Sequence, residues 1–352
     1  MQVAVALVLT AASAQVDSGA PLRIMSGVVA GSAVLVASRK LGWQAAPQRG
    51  VRELALAVVG LGIGGVLAVH EYRGDHTVLY LAVAVGMIAA GVLVGWWFHR
   101  VTGLDRLSAM LAMVPGGMAA MTGAAAERGR DAATVSAVQA MRMFAAVVLV
   151  TVAAVAGPAS AGPGPDVSCT DQPWNFIQFV GALVLVWPLA CGARRLRLPL
   201  PAFFAGIAIG VSMYVGQSLF SSCVGIPSVV TAAGQILLGV SVGESIVTGM
   251  RRGRLLALGA LGVAMTLSAS LMVAAVVHAV TGLDWLTCVL MTAPGGAPEV
   301  TMFALALPVE IDVVLAAQLA RQLLINIGLP FWLWLFIRLD RGGSGARDEE
   351  AP

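Results

Sequence analysis

Residues Val101–Thr122 read VTGLDRLSAMLAMVPGGMAAMT, and residues Val280–Thr301 read VTGLDWLTCVLMTAPGGAPEVT. The second stretch is a diverged copy of the first, offset by 179 residues from Val101 to Val280. The same offset carries Gly27, Gly31, Gly60 and Gly64 onto Gly206, Gly210, Gly239 and Gly243. It also carries Gln139 and Arg142 onto Gln318 and Arg321. The chain therefore contains itself twice, and each copy interrupts an apolar run with Pro-Gly-Gly. Proline removes a backbone donor and glycine relaxes the dihedral limits, so a helix stops there. Matched helix breaks in two copies of a multi-span unit are the pattern of secondary transporters.

Composition sets the class. The chain is 59% hydrophobic and only 11% charged, with a mean hydropathy of +0.89. A water-soluble fold could not cover its surface with so little polar material. Segments 77–98, 174–193 and 255–283 are long enough to cross the roughly 30 Å hydrocarbon core of a bilayer. No basic block with interleaved aromatics points to nucleic acid. The apolar start of the chain carries an Ala12-Ser13-Ala14 triplet like a signal-peptidase site but no positive flank. Its place in the repeat makes it the counterpart of a spanning helix, and it is read as one.

Apolar runs bounded by charges, glycine and proline give spans at 2–16, 21–38, 51–70, 76–98 and 131–156 in the first copy. The second copy gives 174–193, 200–218, 228–249, 255–280 and 311–337. Each Pro-Gly-Gly segment, 105–126 and 284–306, lies between the fourth and fifth span. Its halves of about 9 residues reach only about 13 Å as helix, half of a crossing. The expected form is a re-entrant hairpin that turns near the midplane. Arginine and lysine positions favour it over a kinked crossing. With ten spans, two hairpins and a cytoplasmic start, 17 of the 21 basic residues fall inside. Arg23 and Arg73 fall outside, and Arg142 and Arg321 lie at membrane depth.

The expected fold is thus an all-α polytopic membrane protein of two inverted repeats, each with five transmembrane helices and one re-entrant Pro-Gly-Gly hairpin. The repeats occupy residues 1–157 and 174–338, with an external Pro/Gly-rich linker at 158–173 and a cytoplasmic tail at 339–352. The expected location is a bacterial inner membrane with both termini in the cytoplasm, and the sequence is compatible with a homo-oligomer. Cys169 and Cys223 would both fall on external loops, where oxidation to a disulfide is chemically open.

The candidate binding residues follow from cost. Unwound backbone at membrane depth, at Pro115, Gly116 and Gly117 and again at Pro294, Gly295 and Gly296, needs a protein or water partner. The half-helix after each break aims a partly positive N-terminus inward, which suits a carboxylate. Arg142 and Arg321 are expensive in lipid and so need a partner or a cavity. Each follows a glutamine one turn earlier on the same helix face, Gln139 and Gln318. The pair of arginines can grip a small carboxylate or phosphonate-like anion bidentately. Equally, each can hold the bare carbonyls of its own hairpin or pair with Glu299. Glu299 breaks the symmetry, since Ala120 is its counterpart, and it is a candidate site for ion or proton coupling. Glu244 replaces Gly65 near an interface. Neither His70, His76, His99 and His278 nor the cysteines form a metal-ligand pattern, so no metal, cofactor or enzymatic role is expected.

The paired Pro-Gly-Gly hairpins, each followed by Gln-x-x-Arg, resemble the duplicated bacterial membrane AbrB family over about residues 1–338. That family shares its name with an unrelated soluble DNA-binding regulator, and members also carry the label ammonia monooxygenase. The resemblance implies a polytopic membrane protein whose second hairpin carries the usual acid, here Glu299, whereas the first hairpin lacks one. A monooxygenase would need convergent histidine or carboxylate ligands. A sensor would need a soluble output domain, so a role in gene regulation is expected only as an indirect consequence of transport. The leading expectation is alternating-access transport of a small anionic metabolite across the lipid bilayer.

The inverted topology predicts that single cysteines at positions 104 and 283, in a cysteine-free chain, react with an impermeant thiol reagent from opposite faces of the membrane. Reaction from the same face would contradict it.

Overall fold

The computed structural model describes residues 49–69, 77–156, 173–195, 200–220, 253–304 and 309–344, with single positions at 26, 29, 33, 36, 233, 234, 236, 237, 240 and 307. The expected span 2–16, most of 21–38 and 228–249, and most of the linker and tail lie outside the described residues. So do Gly27, Gly31, Gly239, Gly243, Glu244, His70, His76, Arg23, Arg73, Cys169 and Cys223. Among the described residues every regular element is a helix.

The helices are α1 (Arg49–Val69), α2 (Thr77–Thr102), α3 (Arg106–Met113), α4 (Met118–Glu127), α5 (Ala132–Ala156) and α6 (Pro173–Arg195). They continue with α7 (Pro201–Phe220), α8 (Gly253–Thr281), α9 (Trp285–Thr292), α10 (Ala297–Ala304), α11 (Ile311–Ile327) and α12 (Leu329–Ser344). Among the described residues four stretches are long and apolar enough to span a membrane: Thr77–Thr102, Ala132–Ala153, Ile177–Arg195 and Ala257–Thr281. Glu53–Gly65 and Pro201–Gly216 are shorter apolar helices. The expected span 311–337 is not one straight helix. It bends by 61° between Ile327 and Leu329, where Gly328 is followed by Pro330, which has no backbone N–H to donate and whose ring crowds the preceding turn.

Contacts divide the chain into two compact units, and each draws on both sequence copies. The first comprises Met1–Gly74, Leu149–Val247 and Pro298–Val314; the second comprises Asp75–Val148, Thr248–Ala297 and Leu315–Pro352.

In the first unit α1 packs along α7, and α6 packs on α7. The α1–α7 seam is made by glycine. A Cβ added at Gly206 would stand 2.6 Å from the Ala57 carbonyl oxygen and 3.0 Å from Gly60 Cα. Backbone lies against backbone here, the approach that small residues permit in lipid, where apolar side chains gain little by leaving hydrocarbon for protein. Glu53 and Arg194 form an ion pair at 2.5 Å at the end of the α1–α6 contact.

In the second unit α2 packs on α8, α3 on α2, and α9 on α8. These contacts match under the repeat. The shared Val-Thr-Gly-Leu-Asp motif builds the same turn in both copies. Thr102 Oγ1 donates to Phe98 O at 2.6 Å and Thr281 Oγ1 to Val277 O at 2.7 Å. Gly103 and Gly282 both turn the chain at φ +70°, a conformation costly for any residue with a Cβ. Asp105 then caps α3 by accepting from Ser108 N at 2.9 Å, and Asp284 caps α9 by accepting from Leu286 N at 2.9 Å. His99 and His278 bridge the turn through Nδ1 to Leu104 O and Leu283 O. Leu107, Met110, Leu111, Met113 and Val114 of the first broken helix are buried among Phe98, Val138, Val263, Ile325 and Phe336.

Gly206→Val is predicted to disrupt the α1–α7 seam at a cost of about 1–3 kcal/mol, the range for overpacked contacts. Thermal unfolding of the purified variant in detergent measures it. An unchanged melting temperature would mean that the glycine contact contributes little.

Candidate functional site

The breaks are as the sequence expects in position. Helix α3 ends at Met113 and α4 starts at Met118; α9 ends at Thr292 and α10 starts at Ala297. Each interruption strands carbonyls that no i+4 amide reaches. In an apolar interior a bare backbone carbonyl costs about 1–3 kcal/mol. The next helix of each copy meets that need with its glutamine and arginine.

On α5, Gln139 Nε2 donates to Leu111 O at 2.7 Å and to Val114 O at 3.2 Å. On α11, Gln318 Nε2 donates to Leu290 O at 2.7 Å and to Ala293 O at 3.3 Å. Arg142 Nη1 reaches Val114 O at 2.9 Å and Met113 O at 3.3 Å, and its Nη2 reaches Gly116 O at 3.4 Å. Arg321 Nη1 reaches Ala293 O at 2.8 Å and its Nη2 reaches Gly295 O at 2.8 Å. Each arginine also donates to the Oε1 of the glutamine one turn before it. Amide and guanidinium thus fix each other, and together they hold the last carbonyls before the break and one within it. The two copies agree nearly bond for bond.

Arg142 does one thing more. Its Nε donates to Pro294 O of the second break at 2.9 Å. One guanidinium therefore touches both breaks, and every N–H of Arg142 has a protein acceptor. Of the three roles the sequence left open for Arg142, an anion grip, a carbonyl clamp and a pair with Glu299, the structure displays the carbonyl clamp. Arg321 is less fully engaged, with acceptors among the described residues on Nη1 and Nη2 only. Both side chains are almost fully buried, at 2% and 3% exposure, as are Gln139 and Gln318. Among the described residues no ion pair joins either guanidinium to a carboxylate. The clamp is a site of concentrated positive charge.

Pro115 and Pro294 are buried, and Gly116, Gly117, Gly295 and Gly296 are partly exposed. Glu299 lies in the first turn of α10 and is 4% exposed. A carboxylate there complements the positive end of its own helix. The structure thus gathers Pro115, Gly116, Gly117, Gln139, Arg142, Pro294, Gly295, Gly296, Gln318 and Arg321 into one unit. Glu299 belongs to a segment assigned to the other unit.

Two residues escape a reading based on repetition. Gln322, 4% exposed, and the partly buried Asn326 stand on α11 beside Gly117. Their counterparts in the first copy are Met143 and Val147, so neither shows in the repeat pattern. The only sequence signal was polarity itself, two amides in an otherwise apolar helical stretch.

Helices fit to span a membrane, interrupted in matched places and braced by buried arginines, define a helical membrane protein built by duplication. A family model described as transition state regulatory protein AbrB matches residues 27–337, and the chain belongs to the AbrB family. It is also similar to a protein of Bacillus subtilis (strain 168) described as uncharacterized, YhjN. The two are 27% identical over 312 residues, covering 80% of this chain and 79% of the relative.

The clamp predicts that Arg142→Gln destabilises the fold, because carbonyls of Met113, Val114, Gly116 and Pro294 lose their donor at about 1–3 kcal/mol for each left bare. Gln139→Leu should cost less, since Arg142 still reaches Val114 O. Melting temperatures in detergent measure both. A wild-type melting temperature for Arg142→Gln would contradict the clamp.

Proposed function

We propose that this protein is a secondary transporter for a small anionic metabolite, working by alternating access around two opposed re-entrant hairpins in a bacterial inner membrane. The observation that carries the reading is the duplicated clamp at two helix breaks. A bundle built only to be stable would have no reason to break two helices and then restore their hydrogen bonds with buried arginines. Broken helices held at membrane depth are how transporters offer backbone groups to a ligand. The net positive charge of Arg142 and Arg321 supports an anion, a carboxylate or a phosphonate-like group. Arg321 retains donor capacity for direct contact.

Two further observations support inverted repeats with cytoplasmic termini. At the shared turn the first copy carries Arg100 and Arg106 where the second carries Ala279 and Trp285. Matching turns, one flanked by arginines and the other without them, fit opposite faces of a membrane. Arg100, Arg194 and Arg338 each lie over a tryptophan near a helix end, Trp96, Trp187 and Trp334, at 3.7, 5.5 and 5.2 Å from the ring centroid. Such pairs suit the headgroup level of the face assigned to the cytoplasm.

Glu299 is the proposed coupling group. A second reading, a part in regulating gene expression, draws on the family's printed description; it would follow indirectly from the metabolite moved.

Uptake by proteoliposomes tests the proposal. The protein should accumulate a small carboxylate under an imposed pH gradient, and Glu299→Gln should lose accumulation while keeping counterflow, since the neutral amide imitates the protonated acid. Absence of carboxylate uptake or counterflow by the wild-type protein would overturn the transporter reading. Unchanged pH-driven accumulation in a stable Glu299→Gln variant would remove the coupling role alone.

A further inference from the structure

We infer that the first turn of α4, with Gln322 and Asn326 of α11, is the recognition site for a small carboxylate bearing a hydroxyl or amino group beside the acid. The inference deepens the transporter reading and rests on it for the site's purpose. Helix α4 is 10 residues long, its cap is Gly117, no side chain caps it, and its first turn holds no acid. The N–H groups of that turn therefore face inward without a helical acceptor.

Gln322 faces this end. A Cβ added at Gly117 would stand 2.8 Å from Gln322 Nε2, so the amide lies directly on the bare face of the cap. Its side chain is 4% exposed and has no hydrogen bond among the described residues. Asn326 stands one turn further along α11. Its Nδ2 donates to Gln322 O at 2.7 Å, which fixes the amide, and leaves Oδ1 buried with no partner. That oxygen is 3.7 Å from the same Gly117 point. The uncapped backbone donors of α4, the Gln322 amide and the buried, unpartnered Asn326 Oδ1 thus lie together at one place. Buried polar groups are rarely left without a partner, because each costs about 1–3 kcal/mol.

The pair is not needed for the fold's own architecture. The clamp in the first copy forms with Met143 and Val147 at these positions. At the other break the first turn of α10 carries Glu299, where α4 has Ala120. The open positive helix end and the polar pair therefore belong together, on one side of the pseudo-symmetric unit.

Their chemistry specifies the ligand. The α4 amides and Gln322 Nε2 offer donors to a carboxylate, and Asn326 Oδ1 asks for a donor in return. An unsubstituted carboxylate has none; a 2-hydroxy or 2-amino acid does. Ile325 Cγ2 lies 3.0 Å and Met121 Cγ 3.1 Å from a Cβ placed at Gly116, so the neighbouring wall is apolar and close, which favours a short carbon skeleton.

The test uses the full chain in lipid nanodiscs and calorimetric titration. The probes are two- to five-carbon mono- and dicarboxylates, each as the unsubstituted, 2-hydroxy and 2-amino acid. At least one substituted acid should bind, with its unsubstituted parent about tenfold weaker or worse. Asn326→Leu should abolish that preference, and Gln322→Met, the residue of the first copy, should weaken binding of both forms by about tenfold. Gly117→Ala, which puts a methyl group in the contact with Gln322, should also weaken binding and serves if a variant on α11 fails to fold. Carboxylate binding or uptake that persists unchanged in these variants overturns this site and leaves the transporter reading standing. A preference for unsubstituted acids overturns the ligand class. No binding of any probe together with no carboxylate uptake overturns both.

Discussion

Everything in the second unit depends on satisfying backbone carbonyls stranded inside an apolar interior. Pro115 and Pro294 end their helices by removing a donor, and the carbonyls one turn earlier lose the amide that would have bonded them. Water could serve that need at a surface. In a buried setting a side chain must do so, and it must offer several donors at fixed angles. A guanidinium locked by a neighbouring amide is well suited. Gln139 with Arg142, and Gln318 with Arg321, supply that fork twice. Arg142 also spans to Pro294, so the breaks are mechanically joined as well as individually braced. The charge this leaves behind, two buried cations with no acid paired to them among the described residues, is the physical basis for expecting an anion.

Bracing and recognition then fall to different residues. Arg142 has no N–H left to give, so in the proposed transporter contact with a ligand would pass to groups the brace does not use: the first turn of α4, Gln322, Asn326 and the Arg321 donors that have no acceptor among the described residues. Duplication explains the division. Both copies must keep the brace, because each has a break to hold, and so Gln-x-x-Arg persists in both. The proposed recognition site needs only one side, and there the copies differ, Met143 against Gln322, Val147 against Asn326, Ala120 against Glu299.

That divergence also decides what the sequence could reveal. The repeated features were legible: the helix breaks, the Gln-x-x-Arg pattern after each, and the apolar spans that mark a membrane protein of the AbrB family. Features present in one copy show only as departures from the repeat; a charge such as Glu299 stands out in that way, whereas the neutral amides Gln322 and Asn326, on a helix that already carries Gln318 and Arg321, do not. The bend between Ile327 and Leu329 was hidden because hydropathy runs unbroken through Gly328. The partners of the arginines were legible only as alternatives, since composition and spacing cannot tell a carbonyl from a carboxylate. Nor does chain order reveal that each compact unit is assembled from both copies, because that depends on packing between segments far apart in sequence.

The most direct measurement of the central claim is a solid-state NMR dipolar coupling between the arginine guanidinium nitrogens and the carbonyl carbon of Val114, in protein reconstituted in lipid. Val114–Pro115 is the single Val-Pro pair in the chain, so carbonyl-labelled valine with nitrogen-labelled proline isolates that carbonyl. The clamp predicts a strong coupling at about 4 Å, as a direct hydrogen bond requires, and the coupling should survive saturation with a carboxylate ligand. No coupling, or one that vanishes when an anion is added, would contradict the account, because Arg142 would then be a ligand contact and the break would be held by something else.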